Sequence, residues 1–312
     1  MQGNEITAFA ELGSRPNIWQ AFEADLDASD QTRATYTRAL RQYAAWLDTV
    51  GISPLEATRE TVIAYKRHME AEGKSAATVN SYLTAVRSLY KWLEARRIYP
   101  NVAAGIKGEK TNARSAKESL TREQAHRLTE ERGDSLSDKR DRAILNLMIR
   151  RGLRTIEVAR ANIGDISQAG GKAVLYIQGK GYSDKGDFIV LGEECLGPIY
   201  DYLEARGETD PEAPLFASIG NRNAGGRMTT RTISRMAKEA MAACGISSAK
   251  LTAHSLRHTA VTFALLGGAT VQEAQAMARH ASISTTMIYA HNLDRLNAGA
   301  ERAADRFMMG GV

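Results

Sequence analysis

Apolar residues at helical spacing run through most of this 312-residue chain, and at one place the pattern changes to the alternation of a β-hairpin. The alternating segments are residues 173–177 and 188–191, and a stretch rich in glycine and lysine lies between them. A period near 3.6 residues predicts amphipathic helices, whereas a period of two predicts strands. The chain is therefore predicted to be mainly α, with a small β-hairpin in a mixed α+β second half.

The first half predicts a compact unit of four helices. One helix is expected near Pro16, and three more are expected after N-caps at Ser29 or Asp30, at Thr58 and at Ser75. Short hydroxyl and carboxylate side chains suit these positions because they accept hydrogen bonds from the free N–H groups of the first turn.

Composition divides the chain into two domains. Residues 105–117 are polar and rich in Gly, Lys, Asn and Ser, and we expect them to form an exposed linker. A helical domain is predicted over residues 1–104 and a second domain over residues 118–312. The last helix of the second domain, an amphipathic tail, is predicted over residues 292–309.

Charge and cysteine content restrict the class of protein. The chain has 41 Lys and Arg against 36 Asp and Glu, and this net charge of +5 is compatible with a nucleic-acid partner without establishing one. Cys195 and Cys244 lack metal-ligand spacing and are predicted to be reduced thiols. Neither a signal peptide nor a membrane-spanning stretch is predicted, so we expect a soluble, cytoplasmic protein.

Six polar residues of the second half together suit one reaction. They are, in chain order, Arg154, Lys180, His254, Arg257, His280 and Tyr289. Guanidinium and imidazole groups suit the oxygens of a phosphodiester in its transition state. A tyrosine can attack phosphorus and form a covalent intermediate, and a hairpin lysine can protonate the departing oxygen. Each residue alone equally fits a solvated surface, and no motif of metal-ligand spacing is present.

Four motifs contain these residues. They are Gly152-Leu153-Arg154-x-x-Glu157, Gly179-Lys180-Gly181, His254-x-x-Arg257-His258-Thr259 and His280-Ala281-Ser282-Ile283-Ser284-Thr285-Thr286-x-x-Tyr289. In this order they resemble the signature of the tyrosine recombinases, the phage integrase family. The helical first half resembles the SAM-like core-binding domain of that family. Since only about fifteen residues precede Pro16, the chain looks most like the two-domain, Xer-like or mobile-element members.

The resemblance implies the chemistry of site-specific recombination. Tyr289 would attack the scissile phosphate, which leaves a 3′-phosphotyrosyl bond and a free 5′-hydroxyl on the way to a Holliday junction. Arg154 and Arg257 would hold the non-bridging oxygens, His254 would accept the tyrosine proton, and Lys180 would protonate the 5′-oxygen.

The resemblance implies supporting roles for the remaining motif residues. His280 would donate a further hydrogen bond to the phosphate, while Glu157 and His258 would support the site. No cofactor is expected, because the phosphotyrosyl link conserves the energy of the broken bond and no ATP is required.

The resemblance also implies the partners. The family acts on double-stranded DNA with inverted half-sites, as a homotetramer on two duplexes whose C-terminal helices dock in neighbouring subunits. In the first domain, the residues expected to contact DNA are Arg33, Arg38, Arg41, Lys74, Ser75 and Arg87. In the second domain they are Arg227, Arg231 and Arg235.

Two departures and two alternatives stay open. Family members usually have glycine before the histidine at position 280, whereas this chain has Arg279, so the local turn is expected to differ. The hairpin is longer than many, which leaves Lys185 as a second candidate for the acid behind Lys180. The alternative functions are a catalytically silent DNA-binding protein on the same fold and a type IB topoisomerase-like activity.

Overall fold

Each half of the chain builds its own hydrophobic core. The computed structural model describes residues 15–110, 118–130, 133–179, 184–220, 223–248, 250–297 and 305–309. Two compact units divide the chain, residues 1–113 and residues 114–312. The fold is mainly α-helical with one small sheet, which confirms the predicted fold class.

The described part of the first unit contains four helices. They are α1 (Arg15–Asp25), α2 (Asp30–Val50), α3 (Arg59–Ala71) and α4 (Ala76–Ala95). The side chains of Ser29, Thr58 and Ser75 each accept a hydrogen bond from the backbone N–H three residues later, so the predicted caps are confirmed.

Three buried tyrosines, Tyr43, Tyr65 and Tyr90, lie at the centre of the first core. The hydroxyls of Tyr43 and Tyr90 are 3.0 Å apart, and that of Tyr90 also donates to the carbonyl of Pro54 at 3.1 Å. Burial raises the pKa of Tyr43 and of Tyr90, since an ionised phenol would be poorly solvated there. The core therefore buries three aromatic rings, and the hydroxyls of Tyr43 and Tyr90 are hydrogen-bonded.

The beginning of the predicted linker is part of the first unit. Ile106 is buried in its core, and the Asn80 side chain bonds both the N–H and the carbonyl of Glu109. Single contacts of this kind leave no periodicity in a sequence. The second half of the predicted linker, residues 111–117, lies outside the described residues.

Helices surround one small sheet in the second unit. Its helices are α5 (Arg122–Thr129), α6 (Leu136–Arg151), α7 (Thr155–Arg160), α8 (Glu193–Arg206), α9 (Thr230–Ala243), α10 (Ala253–Leu266), α11 (Val271–Ala278) and α12 (Ile283–Asn297). Its strands are β1 (Ile166–Ala169), β2 (Lys172–Ile177) and β3 (Asp187–Val190). Helix α6 packs against α8 and α10, and α10 packs against α11 and α12.

The sheet is antiparallel in the order β1-β2-β3. The strands β2 and β3 are the predicted hairpin, with Leu175 opposite Ile189 in register. Both side chains are buried in the core of the unit. Strand β1 was not predicted, because its four residues, Ile-Ser-Gln-Ala, carry no clear alternation.

The helix that carries Tyr289 is longer than expected. We predicted a short turn at Tyr289 and a separate tail helix over residues 292–309, whereas α12 continues unbroken from Ile283 to Asn297. No glycine or proline lies between Tyr289 and Asn297 to end the helix. Residues 298–304 lie outside the described residues. Within the described chain, no helix has the length and apolar character needed to span a membrane.

Candidate active site

The junction between α6 and α7 fixes the backbone of Arg154. Gly152 ends α6 in the left-handed conformation (φ 65°, ψ 29°), which glycine adopts without a steric penalty. Arg154 is then the N-cap of α7, and its N–H donates to Oε2 of Glu157 at 2.8 Å. Arg154 therefore lies in the short junction between two helices, as the sequence predicts.

A buried carboxylate holds two arginines in place. Glu157 is 0% exposed, and its Oε1 and Oε2 accept hydrogen bonds from Nη1 of Arg154 at 2.6 Å and Nη2 of Arg279 at 2.8 Å. Burial favours the neutral acid, but the charges and hydrogen bonds of the two arginines outweigh it and hold the pKa of Glu157 below its usual value. Glu157 is therefore ionised at pH 7.

Arg279 follows α11 in the left-handed conformation, with φ 52° and ψ 48°. This conformation costs roughly 1–2 kcal/mol in a residue with a Cβ atom. Its Nη1 donates to the carbonyl of Met277 at 2.7 Å, and its own carbonyl accepts from Nη2 of Arg154 at 3.1 Å. The sequence departure at this position therefore places an extra guanidinium against the Arg154–Glu157 pair.

Arg257 is the most deeply buried cation of the site. Its side chain is among the largest fully buried ones, Nη1 donates to the carbonyl of Gly152 at 2.5 Å, and buried Nη2 has no hydrogen-bond partner among the described residues. Burial, followed by repulsion from Arg154, lowers the pKa of Arg257 to about 9, so it remains cationic at pH 7. A buried charged donor without a partner indicates an anion-binding position.

Three of the predicted residues line one cleft. It has a volume of about 490 Å3, and Arg154, His254 and Arg257 contribute to its wall. His254 and Arg257 lie in the first turn of α10, as their spacing predicts. The cleft therefore presents two guanidiniums and an imidazole to a ligand of negative charge.

Tyr289 lies against His258. Its hydroxyl is in hydrogen-bond contact with Nδ1 of His258, and the two rings have centroids 5.2 Å apart. The ring of His254 is edge-on to that of His258 at 4.3 Å, because the two residues are one helical turn apart on α10. Of the two imidazoles, His258 thus contacts the tyrosine directly.

His280 also lies close to Tyr289. Its ring is nearly parallel to that of Tyr289 at 6.3 Å, and its Nδ1 is 2.9 Å from the hydroxyl of buried Thr286. Burial, followed by the nearby arginines and His254, lowers the pKa of His280 to about 4. The imidazole is therefore neutral at pH 7 and can donate one hydrogen bond from the nitrogen that carries the proton.

Lys180 and Lys185 are the two candidates for the acid. Lys180 lies outside the described residues. Lys185 forms an ion pair with Asp165, with Nζ 2.8 Å and 2.6 Å from the two carboxylate oxygens. A second cleft of about 730 Å3 lies between the described ends of the hairpin loop, Gly179 and Asp184, and the side chains of Arg154, Arg279 and His280. The loop that carries Lys180 therefore starts and ends beside the site.

The basic residues predicted to contact DNA fall into two groups. Arg33, Arg38, Arg41, Ser75, Arg231 and Arg235 are exposed, and Lys74 is half-buried beside Glu72. By contrast, Arg87 donates to the carbonyl of Ile106. Arg227 donates to the carbonyls of Ala159 and Ala161 at 2.9 Å and 3.1 Å. These two guanidiniums are thus engaged within their own units.

Sequence reasoning missed the contacts of three residues in this site. His258 was assigned only a supporting place, Arg279 was noted only as a departure, and Thr286 was not considered apart from its motif. The spacing of His258 from His254 was a usable signal, because residues four apart share a helix face. Among the described residues, no group of three or more His, Cys, Asp and Glu side chains could hold a metal ion.

Comparison with known proteins gives one family for both halves of the chain. Residues 118–295 match the phage integrase family, and residues 20–97 match the N-terminal SAM-like domain of phage integrases. The tyrosine recombinase XerC of Pelobacter propionicus is 34% identical over 285 residues, which are 88% of this chain and 89% of the relative. The tyrosine recombinase XerD of Rhizobium meliloti is 28% identical over 94% of this chain and 92% of its own.

Solved structures share the fold. The XerH site-specific recombinase, bound to its palindromic difH substrate after cleavage, matches with a TM-score of 0.72 at 19% identity, over 92% of this chain and 85% of that chain. A lambda integrase tetramer bound to a Holliday junction matches with a TM-score of 0.66 at 19% identity, over 90% of this chain and 79% of that chain.

The chain belongs to the phage integrase family, the tyrosine site-specific recombinases, which break and rejoin DNA strands. Neither the family match nor these relatives favour the two alternatives, a silent DNA-binding protein and a type IB topoisomerase-like activity.

Proposed function

We propose that this recombinase cleaves DNA with Tyr289 as its nucleophile. The observation that carries the proposal is the contact between the Tyr289 hydroxyl and His258, together with a cleft lined by Arg257. Nη2 of Arg257 has no hydrogen-bond partner within the part of the chain that the structure describes. The tyrosine oxygen attacks phosphorus, the bond to the 5′-oxygen breaks, and a 3′-phosphotyrosyl link forms. Arg154 and Arg257 bind the non-bridging oxygens, where negative charge grows in the transition state.

Two protons move in this step. The tyrosine proton passes to a histidine, because a phenol with a usual pKa of about 10 needs a base at pH 7. We assign this role to His258 rather than to His254, since His258 touches the hydroxyl. His254 lines the cleft beside Arg154 and Arg257 and is assigned to the phosphate oxygens.

The second proton goes to the departing 5′-oxygen. We assign it to Lys180, because Lys185, the other candidate, is held by Asp165. His280 is assigned a hydrogen bond to the phosphate. It stays neutral at pH 7 because its pKa is about 4. Attack by the tyrosine oxygen and departure of the 5′-oxygen are expected on opposite sides of the phosphorus, so the acid is proposed to act on the side away from Tyr289.

The DNA partner is expected to carry inverted half-sites, with four copies of the chain on two duplexes. The exposed residues Arg33, Arg38 and Arg41 of α2 are proposed to contact the backbone in the first unit. Arg231 and Arg235 of α9 are proposed to do so in the second unit. The chain beyond α12 is proposed to dock on a neighbouring subunit, and the enzyme is expected to act in the cytoplasm.

A covalent adduct tests the assignment of the nucleophile. The substrate is a nicked duplex carrying the inverted repeat found in the DNA beside the gene, so that cleavage releases a short fragment and the adduct persists. We expect the wild type to form an adduct that survives denaturing electrophoresis, and Tyr289→Phe to bind the duplex without forming it. An adduct from both proteins would show that another residue is the nucleophile.

The histidine roles are tested on the same substrate. His258→Gln is expected to slow adduct formation most at low pH, where attack by the tyrosine depends on a base. His254→Gln is expected to lower the rate by a similar factor at every pH. If His254→Gln showed the pH-dependent loss and His258→Gln the uniform one, His254 would be the base that accepts the tyrosine proton.

A further inference from the structure

The side chain of Arg279 makes contacts that a glycine at this position could not make. Its Nη2 donates to Oε2 of Glu157 at 2.8 Å and reaches the carbonyl of Gly152 at 3.4 Å, while Nη1 donates to Met277. The side chain is only 9% exposed. The guanidinium thus joins three chain segments, namely the end of α11, the turn after α6 and the first turn of α7.

Through these contacts Arg279 helps to hold the guanidinium of Arg154 in place. The side chain of Arg154 is 27% exposed, and two contacts hold its guanidinium, one from Nη1 to Glu157 and one from Nη2 to the carbonyl of Arg279. Arg279 fixes the first contact by holding the other oxygen of Glu157. It supplies the second contact itself, through a carbonyl that points to Arg154 in the left-handed turn.

The backbone strain at Arg279 indicates that its side chain has a role in the site. Glycine would adopt φ 52° freely, whereas arginine is strained there. Among the described residues, the other non-glycine with positive φ is Arg97, which is exposed at the end of α4. Backbone strain that persists at a reaction site indicates that the side chain supplies something in return.

We propose that Arg279 is a positioning residue for strand cleavage, which locks the Arg154–Glu157 pair in the geometry that binds the scissile phosphate. The inference rests on the proposed function, because it assumes that Arg154 binds the phosphate. We place Arg279 behind Arg154 rather than on the DNA, because its Nη1 and Nη2 already contact Met277, Glu157 and Gly152. Its Nε is buried and has no hydrogen-bond partner among the described residues. The effect of Arg279 therefore reaches the phosphate through Arg154.

Single-turnover cleavage at saturating DNA tests the proposal. Arg279→Gly removes the guanidinium and relieves the backbone, and we expect adduct formation to slow about tenfold to a hundredfold, since a misplaced group costs a factor of this size. DNA affinity, measured by band shift, should change less than about threefold because many phosphate contacts remain. Arg279→Lys keeps a cation but cannot bridge the same three partners, so we expect intermediate rescue.

A third variant, Arg279→Gln, also removes the guanidinium and is expected to slow cleavage as Arg279→Gly does. Arg206→Gln is its matched control. Arg206 is also 9% exposed in the second unit, and it donates to the Pro214 carbonyl and pairs with Glu208, away from the cleft. Its variant should lower the melting temperature without slowing cleavage. If Arg279→Gln also only lowers the melting temperature and cleaves at the wild-type rate, Arg279 is structural and the proposal is wrong.

A second readout separates this inference from the proposed function. Absence of an adduct with the wild-type protein would contradict the proposed function. The titration of His280, followed by NMR in the free protein, needs no DNA and reports the charge beside it. We expect Arg279→Gly to move its midpoint upward and Arg206→Gln to leave it unchanged. The shift should be small, because Arg279 lowers this pKa less than burial, Arg257, Arg154 and His254 do. An unmoved midpoint in Arg279→Gly would contradict the guanidinium's place beside His280.

Discussion

Replacing Glu157 by glutamine should destabilise the second unit strongly. Glu157 is fully buried, and its two oxygens accept three hydrogen bonds, two from Arg154 and one from Arg279. A glutamine retains one acceptor oxygen, so its amide group must face an arginine donor on one side. Breaking a buried ion pair by removing one partner costs about 3–5 kcal/mol.

The control is a pair of the same type on the surface. Arg235 and Glu239 are 3.7 Å apart on α9, with side chains 73% and 70% exposed. Exposed pairs of this kind contribute roughly 0.3–0.5 kcal/mol. Glu239→Gln should therefore leave stability almost unchanged, while Glu157→Gln lowers the melting temperature on the order of 10 °C for a unit of this size.

The assay can follow the two units with different probes. All three tryptophans, Trp19, Trp46 and Trp92, lie in the first unit, so their fluorescence reports its unfolding. Circular dichroism reports the helices of both units. We expect the Glu157→Gln loss in the circular dichroism transition. A loss within about 1 kcal/mol of that for Glu239→Gln would refute the reasoning.

The effect should also depend on pH. The pKa of Glu157 is lower in the folded protein than in the unfolded chain, so its stabilisation is present above the unfolded value and is lost as pH falls through the folded value. The difference in stability between the wild type and Glu157→Gln should therefore be largest near pH 7 and shrink in acid. A difference that grew on acidification would contradict the assigned sign.

Three further predictions concern single groups. Arg97→Gly should stabilise the first unit by roughly 0.5–1 kcal/mol in urea titration, because strain at φ 56° is relieved; a loss of stability would contradict this. Tyr90→Phe should cost roughly 1–3 kcal/mol by tryptophan fluorescence, since the buried Tyr43 hydroxyl loses its partner, and a neutral result would show that it finds another. Thr286→Val should slow adduct formation about tenfold or more, because His280 loses the hydroxyl that orients its ring, and an unchanged rate would remove that role.

Local signals in the sequence predicted much of the fold. Ser29, Thr58 and Ser75 cap helices as expected, and Gly152 ends α6 in a left-handed turn. These features depend on residues within four positions of one another, where the side chain and the backbone that it bonds are adjacent in the chain. The family match confirms the class of enzyme that the ordered motifs predicted.

Contacts between segments that are distant in the chain could not be predicted from the sequence. Nothing near Arg279 indicates that its guanidinium would reach Glu157, because α11 must first pack beside the α6–α7 junction. The contact of Tyr289 with His258 likewise depends on how α12 crosses α10, which helical periodicity does not specify. Strand β1 was missed for a related reason, since its pairing with β2 rather than its own pattern defines it.

Locating the covalent bond between protein and DNA tests the central claim most directly. The adduct from the nicked duplex would be digested with nuclease and trypsin and its peptides identified by mass spectrometry. Cleavage after Arg279 and Arg295 yields residues 280–295, in which Tyr289 is the only one of the chain's 11 tyrosines. We predict that the phosphonucleotide remnant lies on this peptide, at Tyr289. A remnant on any other peptide would contradict the assignment of the nucleophile and the arrangement of the site around it.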